Sequence, residues 1–237
     1  MNPVLSIIIP IYNEGRLVAR SLPPIFNLAI AKQVIIVNDG STDETCKILN
    51  SLKSKYDFTL INQEFNQGKG LAIRRGLKEV RADYFIIYDA DSEYNANDVA
   101  IMFEYITQEK SGQAIIKDNK SKKFALYGSR FLKKPKLSFH YIVNYFLTKL
   151  TNLLFSSSLT DMETCLKMIP TSALNEIKIS GKRFEIEPII TAQLLKNNYV
   201  IKEFPVSYNR RGYKEGKKIK AKDGLIAVLT LFKERFN

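Results

Sequence analysis

The sequence contains few of the side chains that build zinc sites and disulfide frameworks. Among its 237 residues are one histidine, His140, and two cysteines, Cys46 and Cys165, which lie far apart and lack the spacing of metal ligands. We therefore expect neither a zinc site nor a disulfide framework, and His140 is a poor candidate for a metal ligand. Two unpaired cysteines agree with a reducing cytoplasm.

Long uninterrupted hydrophobic runs are also missing. A membrane-spanning helix needs about 18 consecutive apolar residues. The longest apolar-rich segment, residues 141–155, is interrupted by Asn144, Lys149 and Asn152. The N-terminal stretch has no basic region, and its apolar run is too short for a signal peptide. These features predict a chain that does not cross a bilayer by itself but could lie on one.

Acidic residues are outnumbered by basic ones. The chain has 36 lysines and arginines against 24 aspartates and glutamates, which gives a formal net charge of +12. Such a charge favours an anionic partner, and nucleotides, nucleic acid and an acidic membrane surface all meet that description. The length and the 45% hydrophobic content fit one large α/β domain with a substantial core.

Short apolar runs alternate with helical patterns in the first half of the chain. β-branched and aromatic residues predict four strands, at residues 5–9, 34–37, 58–61 and 84–88. Helical patterns lie between them, at about residues 14–28, 43–55 and 70–80. Strands separated by helices at this spacing predict βαβ units and a parallel sheet. In such a sheet, ligands bind beyond the carboxyl ends of the strands.

The segments after three of the four predicted strands are rich in carboxylates. These carboxylates are Glu14 after the first, Asp39 and Asp43 after the second, and Asp89, Asp91 and Glu93 after the fourth. Like charges at one edge of a sheet repel one another unless a cation or hydrogen-bond donors lie between them, so they suggest a metal. Mg²⁺ and Mn²⁺ take one or two carboxylates together with substrate phosphates. We predict Asp89 and Asp91 as ligands, with Glu93 as a further one; the alternative is a solvated turn that caps the next helix.

The ends of the first two predicted strands have groups suited to a nucleoside. Asp39 could accept a hydrogen bond from a base, Tyr12 could stack on that base, and Glu14 could accept from the base or the ribose. Tyr12 could equally belong to the core. Gly40 permits a tight turn, and we expect residues 41–43 to cap the following helix.

A glycine-rich segment, Gly68-Lys69-Gly70, follows the third predicted strand. It lacks the G-x-x-x-x-G-K-[ST] spacing of a phosphate-binding loop, so we reject a nucleoside triphosphatase. We predict instead a flexible helix start whose Lys69 faces the ligand.

The second half of the chain is less regular. Residues 111–123 are polar and lysine-rich, which predicts an exposed loop. The elements expected beyond it are strands at 124–127, 166–169 and 200–201 and helices at 140–155, 186–197 and 224–236. A basic tail, residues 202–223, precedes the last helix. No internal repeat or linker divides the chain.

Several short motifs occur in order along the chain, and together they are highly specific. They are Pro10-x-Tyr12-Asn13-Glu14, Val37-Asn38-Asp39-Gly40-Ser41-Thr42-Asp43, Gln67-Gly68-Lys69-Gly70, Asp89-Ala90-Asp91, Gly128-Ser129-Arg130-Phe131, Asp161-Met162-Glu163-Thr164-Cys165, Glu185-Ile186-Glu187-Pro188 and Arg211-x-Tyr213-x-Glu215-Gly216-Lys217-Lys218-Ile219. This set resembles the family 2 glycosyltransferases of the GT-A fold, and among them the dolichol-phosphate mannose synthase and polyprenyl-phosphate glycosyltransferase branch. The resemblance covers nearly the whole chain. It implies one α/β GT-A domain with a mostly parallel sheet between helices, a donor half in residues 1–110 and an acceptor half in residues 124–237.

The resemblance also implies a reaction and a set of site residues. The enzyme would move one sugar, with inversion, from a GDP- or UDP-sugar to a polyprenyl phosphate, using Mg²⁺ or Mn²⁺. It would work peripherally at the cytoplasmic face of a membrane, with room for a separate membrane-anchoring partner. The implied donor-binding residues are Pro10, Tyr12, Glu14, Val37, Asp39, Lys69, Asp89, Ala90 and Asp91. The implied phosphate-binding residues are Ser129, Arg130, Arg211 and Lys217, and the implied catalytic residues are Asp91, Arg130, Asp161, Arg211 and Lys217.

The acceptor decides the role of Asp161. An ionised phosphate attacks without a general base, and Asp161 would then order an arginine or lysine. A sugar hydroxyl on a polysaccharide or glycolipid must lose a proton, and Asp161 would then be the base. A nucleic-acid-binding protein is a distant third hypothesis, because the chain has no recognisable nucleic-acid motif.

The helix predicted at residues 140–155 bears on the choice between a lipid phosphate and a sugar hydroxyl as the acceptor. Its apolar side chains could form one face, made of Tyr141, Ile142, Tyr145, Phe146, Leu150, Leu153 and Leu154. That face either packs against the sheet or lies at a membrane interface near a lipid acceptor.

Overall fold

The computed structural model describes residues 4–111, 123–132, 139–211 and 221–237. The loop expected at residues 111–123 therefore lies almost wholly outside the described residues, as does Lys217. In chain order the elements are β1 (Leu5–Ile11), α1 (Gly15–Ser21), α2 (Pro23–Phe26), β2 (Lys32–Asn38), α3 (Thr45–Lys53), β3 (Thr59–Asn62), α4 (Lys69–Leu77), β4 (Tyr84–Ile87), α5 (Ala96–Ser111), β5 (Phe124–Ser129), α6 (Phe139–Phe155), β6 (Lys167–Pro170), a 3-10 turn (Thr171–Asn175), α7 (Ile186–Lys196), β7 (Val200–Pro205) and α8 (Ala221–Phe236).

The described strands form one mostly parallel sheet, as the sequence predicts. Its seven strands lie in the order β3-β2-β1-β4-β6-β5-β7. The four strands of the first half are parallel to one another, with Ile7 opposite Val34 and Ile86. Only β6 runs antiparallel to its neighbours β4 and β5. The carboxyl ends of β1, β2 and β4 therefore meet at one edge of the sheet.

The centre of the sheet is covered on both faces. Consecutive residues of β1 point to opposite sides, so Ile7 belongs to a core cluster with Leu49 of α3 and Val99 of α5. The next residue, Ile8, belongs to the opposite cluster with Ile73 of α4. All of these side chains are fully buried. This two-sided burial explains why β1 is a continuous β-branched run, and each buried side chain contributes roughly 1.5–3 kcal/mol.

Most elements differ from their predicted bounds by a few residues, and two differences have a clear physical cause. The single helix expected at residues 14–28 is two short helices, because α1 ends at Ser21 and α2 begins at Pro23. Proline inside a helix lacks the N–H of an i−4 hydrogen bond and clashes with the preceding turn, whereas at the first position of a helix it is well tolerated. The strand expected at residues 200–201 continues to Pro205, since it pairs with β5 as far as Ser129. Residues 202–205 therefore belong to the sheet and not to a basic tail.

Helices α6 and α8 pack against each other at one end of the molecule. Their contact is a small core cluster that includes Leu147, Ala227 and Leu231. The single apolar face expected for the helix at 140–155 is divided between two environments. Leu150 and Leu154 pack against this cluster, whereas Ile142, Tyr145, Phe146 and Leu153 are exposed. Among the described residues, no helix has the length and hydropathy of a membrane span.

Candidate active site

The loop after β2 is held by the carboxylate of Asp39. This residue is only 2% exposed and follows the last residue of the strand. Its Oδ1 accepts hydrogen bonds from Gln67 N and the Gln63 side chain, and its Oδ2 accepts from Gly68 N and the Asn66 side chain. Four donors nearly fill the capacity of a carboxylate. In this structure Asp39 therefore orders the loop before α4, and a contact with a base would require one of these bonds to be exchanged.

A glycine allows this loop to approach the strand end closely. Gly40 has φ +63°, and a Cβ placed there would lie 2.3 Å from the backbone carbon of Phe65. Both facts demand glycine at this position. The tight turn expected at Gly40 is present, and it brings the loops after β2 and β3 together.

The loop after β1 is joined to the loop after β2. Asn13 N donates to Ser41 Oγ, and Gly15 N donates to Oδ2 of Asp43. Asp43 also accepts from Thr45 N at the start of α3 through Oδ1. Residues 41–43 thus act partly as expected, since Asp43 stabilises the first turn of α3, while the others connect two strand ends.

The donor-binding residues predicted near β1 and β2 lie in two environments. Pro10, Tyr12 and Glu14 are half-buried at the sheet edge. The side chain of Val37 is fully buried in the core cluster of Ile8. The expectation that Val37 holds the nucleoside is therefore not met by its side chain, because strand alternation points that side chain into the core.

The two aspartates after β4 each face a cation of this chain. Lys69 Nζ lies 2.9 Å from Oδ2 of Asp89, and Nη2 of Arg211 lies 3.4 Å from Oδ2 of Asp91. Ala90 between them is 3% exposed and belongs to the core, so it spaces the two carboxylates rather than facing a ligand. Burial, reinforced by the neighbouring carboxylates of Asp89 and Glu93, raises the pKa of Asp91. The carboxylates at this edge of the sheet therefore carry more negative charge than Lys69 and Arg211 neutralise.

Lys69 connects Asp89 to the carboxylate of Glu187. Its Nζ also lies 3.2 Å from Oε1 of Glu187, and Lys167 Nζ lies 2.9 Å from the other oxygen of Glu187. Lys167 is fully buried and donates its hydrogen bonds to the carbonyl of Glu187 and to Thr191. Burial lowers the pKa of Lys69, but Asp89 and Glu187 outweigh it and raise that pKa overall. Lys69 therefore carries a positive charge at neutral pH.

Arg211 bridges two strand ends. Its Nη1 lies 3.2 Å from Oε2 of Glu14 after β1, and its Nη2 reaches Asp91 after β4. The backbone N–H of Arg211 donates to Glu93, which also accepts from the hydroxyl of Tyr208. Arg211 is thus placed beside the predicted metal ligands, as its implied role requires.

Arg130 at the end of β5 is held by Asp161. Two parallel hydrogen bonds of 2.7 Å run from its guanidinium to the two oxygens of Asp161, whose side chain is completely buried. The guanidinium lies 5.3 Å from the ring centre of Phe131 and 5.2 Å from that of Tyr208. In this structure both oxygens of Asp161 therefore accept hydrogen bonds from Arg130. Ser129, expected to contact phosphate, is buried and pairs with Thr160.

Glu163 lies near Asp161 and was not among the predicted site residues. Its Oε1 is buried without a hydrogen-bond partner. Burial raises the pKa of Glu163 to about 7, against the attraction of Lys167. Glu163 lies two residues after Asp161 in the motif Asp161-Met162-Glu163-Thr164-Cys165. The residue type does not reveal that Oε1 lacks a hydrogen-bond partner in the fold.

The carboxylates after β4 fit a divalent metal as a pair. In the parts of the chain that are described, no three His, Cys, Asp or Glu side chains already form a metal-binding group. Both oxygens of Glu93 accept hydrogen bonds from Tyr208 and Arg211, so the structure does not present Glu93 as a third ligand. Two carboxylates with oxygen donors suit Mg²⁺ or Mn²⁺, which complete their shells with water and phosphate oxygens.

Comparison with known proteins gives the family. The model of glycosyl transferase family 2 matches residues 6–178, so this chain belongs to that family. It is 35% identical over 89 residues to a poly-β-1,6-N-acetyl-D-glucosamine synthase of Staphylococcus epidermidis, covering 37% of this chain and 22% of that protein. It is 32% identical over 124 residues to a dolichyl-phosphate β-glucosyltransferase of Trichomonas vaginalis, covering 47% of this chain and 38% of that protein. The chain thus spans well under half the length of these curated relatives.

Solved structures give the fold. Glucosyl-3-phosphoglycerate synthase from Mycobacterium tuberculosis, in complex with Mn²⁺, UDP and phosphoglyceric acid, superposes with a TM-score of 0.67 at 12% identity, covering 99% of this chain and 79% of that chain. Staphylococcus aureus TarS in complex with UDP-GlcNAc superposes with a TM-score of 0.62 at 17% identity, covering 97% of this chain and 66% of that chain. The chain therefore has the GT-A fold expected from its motifs.

Proposed function

We propose that this family 2 glycosyltransferase transfers a sugar from a UDP- or GDP-sugar to a polyprenyl phosphate. The observation that carries the proposal is the arrangement of charge at the sheet edge. Asp89 and Asp91 lie beside Lys69 and Arg211, and Arg130 is reached through Tyr208, which contacts both Arg130 and Glu93. Two metal-type carboxylates beside two cations, with a third cation connected to them through Tyr208, suit a site that holds two phosphorylated substrates.

On the donor side, Asp89 and Asp91 would hold Mg²⁺ or Mn²⁺. A bound cation would neutralise the diphosphate as it leaves. Arg211 and Lys69 already lie at the two aspartates, so they can move to phosphate oxygens over a short distance. Asp39 and the loop it orders would form the floor of the nucleoside site, with Tyr12 beside it. Lys217 lies outside the described residues, so its contact with phosphate stays a prediction from the sequence.

On the acceptor side, the pairing of Arg130 with Asp161 supports a phosphate nucleophile. A phosphate is ionised at neutral pH and needs no general base, but it needs a fixed cation to position it. Asp161 accepts both of the hydrogen bonds that fix the guanidinium of Arg130, and its side chain is fully enclosed, so it is placed to hold Arg130 and not to take a proton from a hydroxyl. The dolichyl-phosphate glucosyltransferase relative agrees with this choice of acceptor.

A sugar hydroxyl is the second candidate acceptor. One observation favours it: Glu163 has an oxygen without a partner and a pKa raised by burial to about 7, which suits a general base near neutral pH. The polysaccharide synthase among the relatives agrees with it. In this alternative the base would be Glu163 and not Asp161.

A transfer assay separates these candidates. The protein would be incubated with a panel of UDP- and GDP-sugars, Mn²⁺, and either a short polyprenyl phosphate or an oligosaccharide. We expect transfer to the polyprenyl phosphate, loss of transfer with a chelator or in Asp91→Asn, and retention in Asp57→Asn, which alters an exposed acid away from the site. Transfer only to the oligosaccharide, abolished in Glu163→Gln, would replace the first candidate by the second. Salt-sensitive DNA binding without nucleotide-sugar binding would contradict both.

A further inference from the structure

Helix α6 presents an apolar stripe to the outside of the molecule. Ile142, Tyr145, Phe146 and Leu153 recur at helical spacing and are 59%, 49%, 59% and 78% exposed. Lys149 is exposed between them and is followed by Leu153 one turn later. The sequence of this helix contains no acidic residue. A solvated helix face normally carries polar side chains, so this stripe is fitted to an apolar environment with anionic groups nearby.

Helix α8 presents a second stripe beside the first. Leu225, Leu229, Phe232 and Phe236 are 64%, 61%, 42% and 77% exposed, again at helical spacing. Their helix faces the core through Ala227 and Leu231, so the stripe points away from the protein. The exposed cations Lys222, Lys233 and Arg235 belong to the same helix. Of its two acids, Asp223 lies in the first turn and Glu234 accepts a hydrogen bond from Gln193 of α7.

The α6 stripe is continuous with the site. The ring centres of Phe131 and Tyr141 lie 4.9 Å apart, and those of Tyr141 and Tyr145 lie 6.2 Å apart. Phe131 in turn stacks with the guanidinium of Arg130. A row of aromatic rings therefore leads from the cation that is fixed by Asp161 to Tyr145 on the exposed stripe.

We propose that the α6–α8 surface, made of these two stripes, docks on a bilayer that contains anionic phospholipid. Amphipathic helices with apolar faces and basic flanks lie in the plane of such an interface, where buried apolar area and headgroup attraction act together. Docking places the aromatic row at the headgroup level and opens the Arg130 end of the site towards a lipid phosphate. The orientation of the site rests on the proposed acceptor, whereas the docking itself does not.

Charge decides between a bilayer and a second copy of the chain. A dimer through this surface would bring Lys149, Lys222, Lys233 and Arg235 of both copies together, whereas α6 has no acid and α8 has only Asp223 and Glu234, of which Glu234 is bonded to α7. The segments that lead into the two helices add to this imbalance in sequence, with three lysines in residues 133–138 and four lysines against one glutamate in residues 212–220. Anionic headgroups supply the missing countercharge.

Vesicle sedimentation tests the docking. The full chain would be mixed with vesicles of phosphatidylcholine alone or with added phosphatidylglycerol. We expect binding to the anionic vesicles that weakens with salt, and a loss on the order of tenfold in Leu153→Gln/Leu229→Gln. Ile101→Gln, which alters an apolar residue on α5 that is 47% exposed and outside both stripes, should bind like the wild type. Thermal unfolding of each variant would verify that it is folded.

The outcomes separate docking from catalysis. Asp91→Asn should lose transfer but bind vesicles unchanged. The stripe variant should lose transfer to a long-chain acceptor in vesicles but keep transfer to a short, soluble polyprenyl phosphate. Equal binding of the stripe variant, no binding to any vesicle, or a dimer in solution that the stripe variant abolishes would overturn the docking. Vesicle binding without transfer to any polyprenyl phosphate would leave the docking intact and refute the proposed acceptor.

Discussion

The buried acid Glu163 gives the sharpest test of the site's electrostatics, through the variant Glu163→Gln. The residue as a whole is half-buried, but its Oε1 is enclosed and has no hydrogen-bond partner. Two cations, Lys167 and Arg130, lie near enough to act on its pKa. Glutamine has nearly the shape of the protonated acid but cannot ionise. The variant therefore removes the cost of burying a charge and leaves the packing in place.

The magnitude follows from the pKa. Burial raises the pKa of Glu163 from 4.5 to about 7, and the carboxylates of Glu187 and Asp161 add to that increase. A raised pKa means that the folded state favours the protonated acid. The stability that this preference contributes is fully present below the unfolded pKa of 4.5 and is lost as the pH rises through about 7. At 1.36 kcal/mol for each unit, the loss is at most about 3 kcal/mol. Glutamine cannot ionise and does not lose this stability. The free energy of unfolding of Glu163→Gln relative to wild type should therefore increase as the pH rises through about 7.

The assay is thermal or urea unfolding of both proteins from about pH 5 to about pH 8, the window in which the acid ionises. We expect the midpoint of Glu163→Gln to exceed that of wild type by several degrees at the upper pH and by much less at the lower pH, at roughly 2–4 °C per kcal/mol. Glu104→Gln, which alters an exposed acid on α5, is the control and should show no such trend. A difference between the two midpoints that does not change with pH, or a variant less stable than wild type at the upper pH, would show that ionisation of Glu163 does not destabilise the fold.

Three further substitutions probe the rest of the site. Gly40→Ala places a Cβ 2.3 Å from backbone in a left-handed conformation, so it should cost at least 1–3 kcal/mol in urea unfolding and weaken nucleotide binding. Asp161→Asn leaves Arg130 buried without its countercharge and should cost about 3–5 kcal/mol in the same experiment, together with transfer activity. Arg211→Ala removes a cation from two carboxylates, so calorimetry should find tighter binding of Mn²⁺ alone but weaker binding of UDP in the presence of Mn²⁺.

Each of these expectations has a result that contradicts it. A Gly40→Ala protein as stable as wild type would mean that the loop relaxes away from the strand end. Full stability in Asp161→Asn would show that the buried pair is not what holds Arg130. If Arg211→Ala changed the binding of Mn²⁺ and of UDP in the same direction, Arg211 would not be the countercharge of the predicted metal ligands.

The fold could be predicted because its signals are local. The β-branched run of β1 indicates burial on both faces, and four such runs separated by helical patterns indicate a parallel sheet. The break at Pro23 is also a local effect of proline, although the continuous pattern around it concealed it. The length of β7 could not be predicted, because it depends on pairing with β5, which lies far away in sequence.

The site was predictable in its residue types but not in its pairings. The acids after β4 and the arginines Arg130 and Arg211 are recognisable from motifs. Which acid pairs with which cation depends on where α4, β6, α7 and the loop after β4 converge. Lys69 contacts Asp89, and both Lys69 and Lys167 contact Glu187. The division of α6 into a packed face and an exposed stripe likewise depends on the position of α8.

The proposed function requires that Asp89 and Asp91 bind the donor diphosphate through a divalent metal. Isothermal titration of UDP and GDP into wild type and Asp91→Asn, with and without Mn²⁺, measures this role. We expect one of the two nucleotides to bind wild type tightly only with Mn²⁺, and Asp91→Asn to abolish the effect of the metal while the protein stays folded. Binding that is equally tight without Mn²⁺, or that is unchanged in Asp91→Asn, would show that the two aspartates do not hold the diphosphate through a metal.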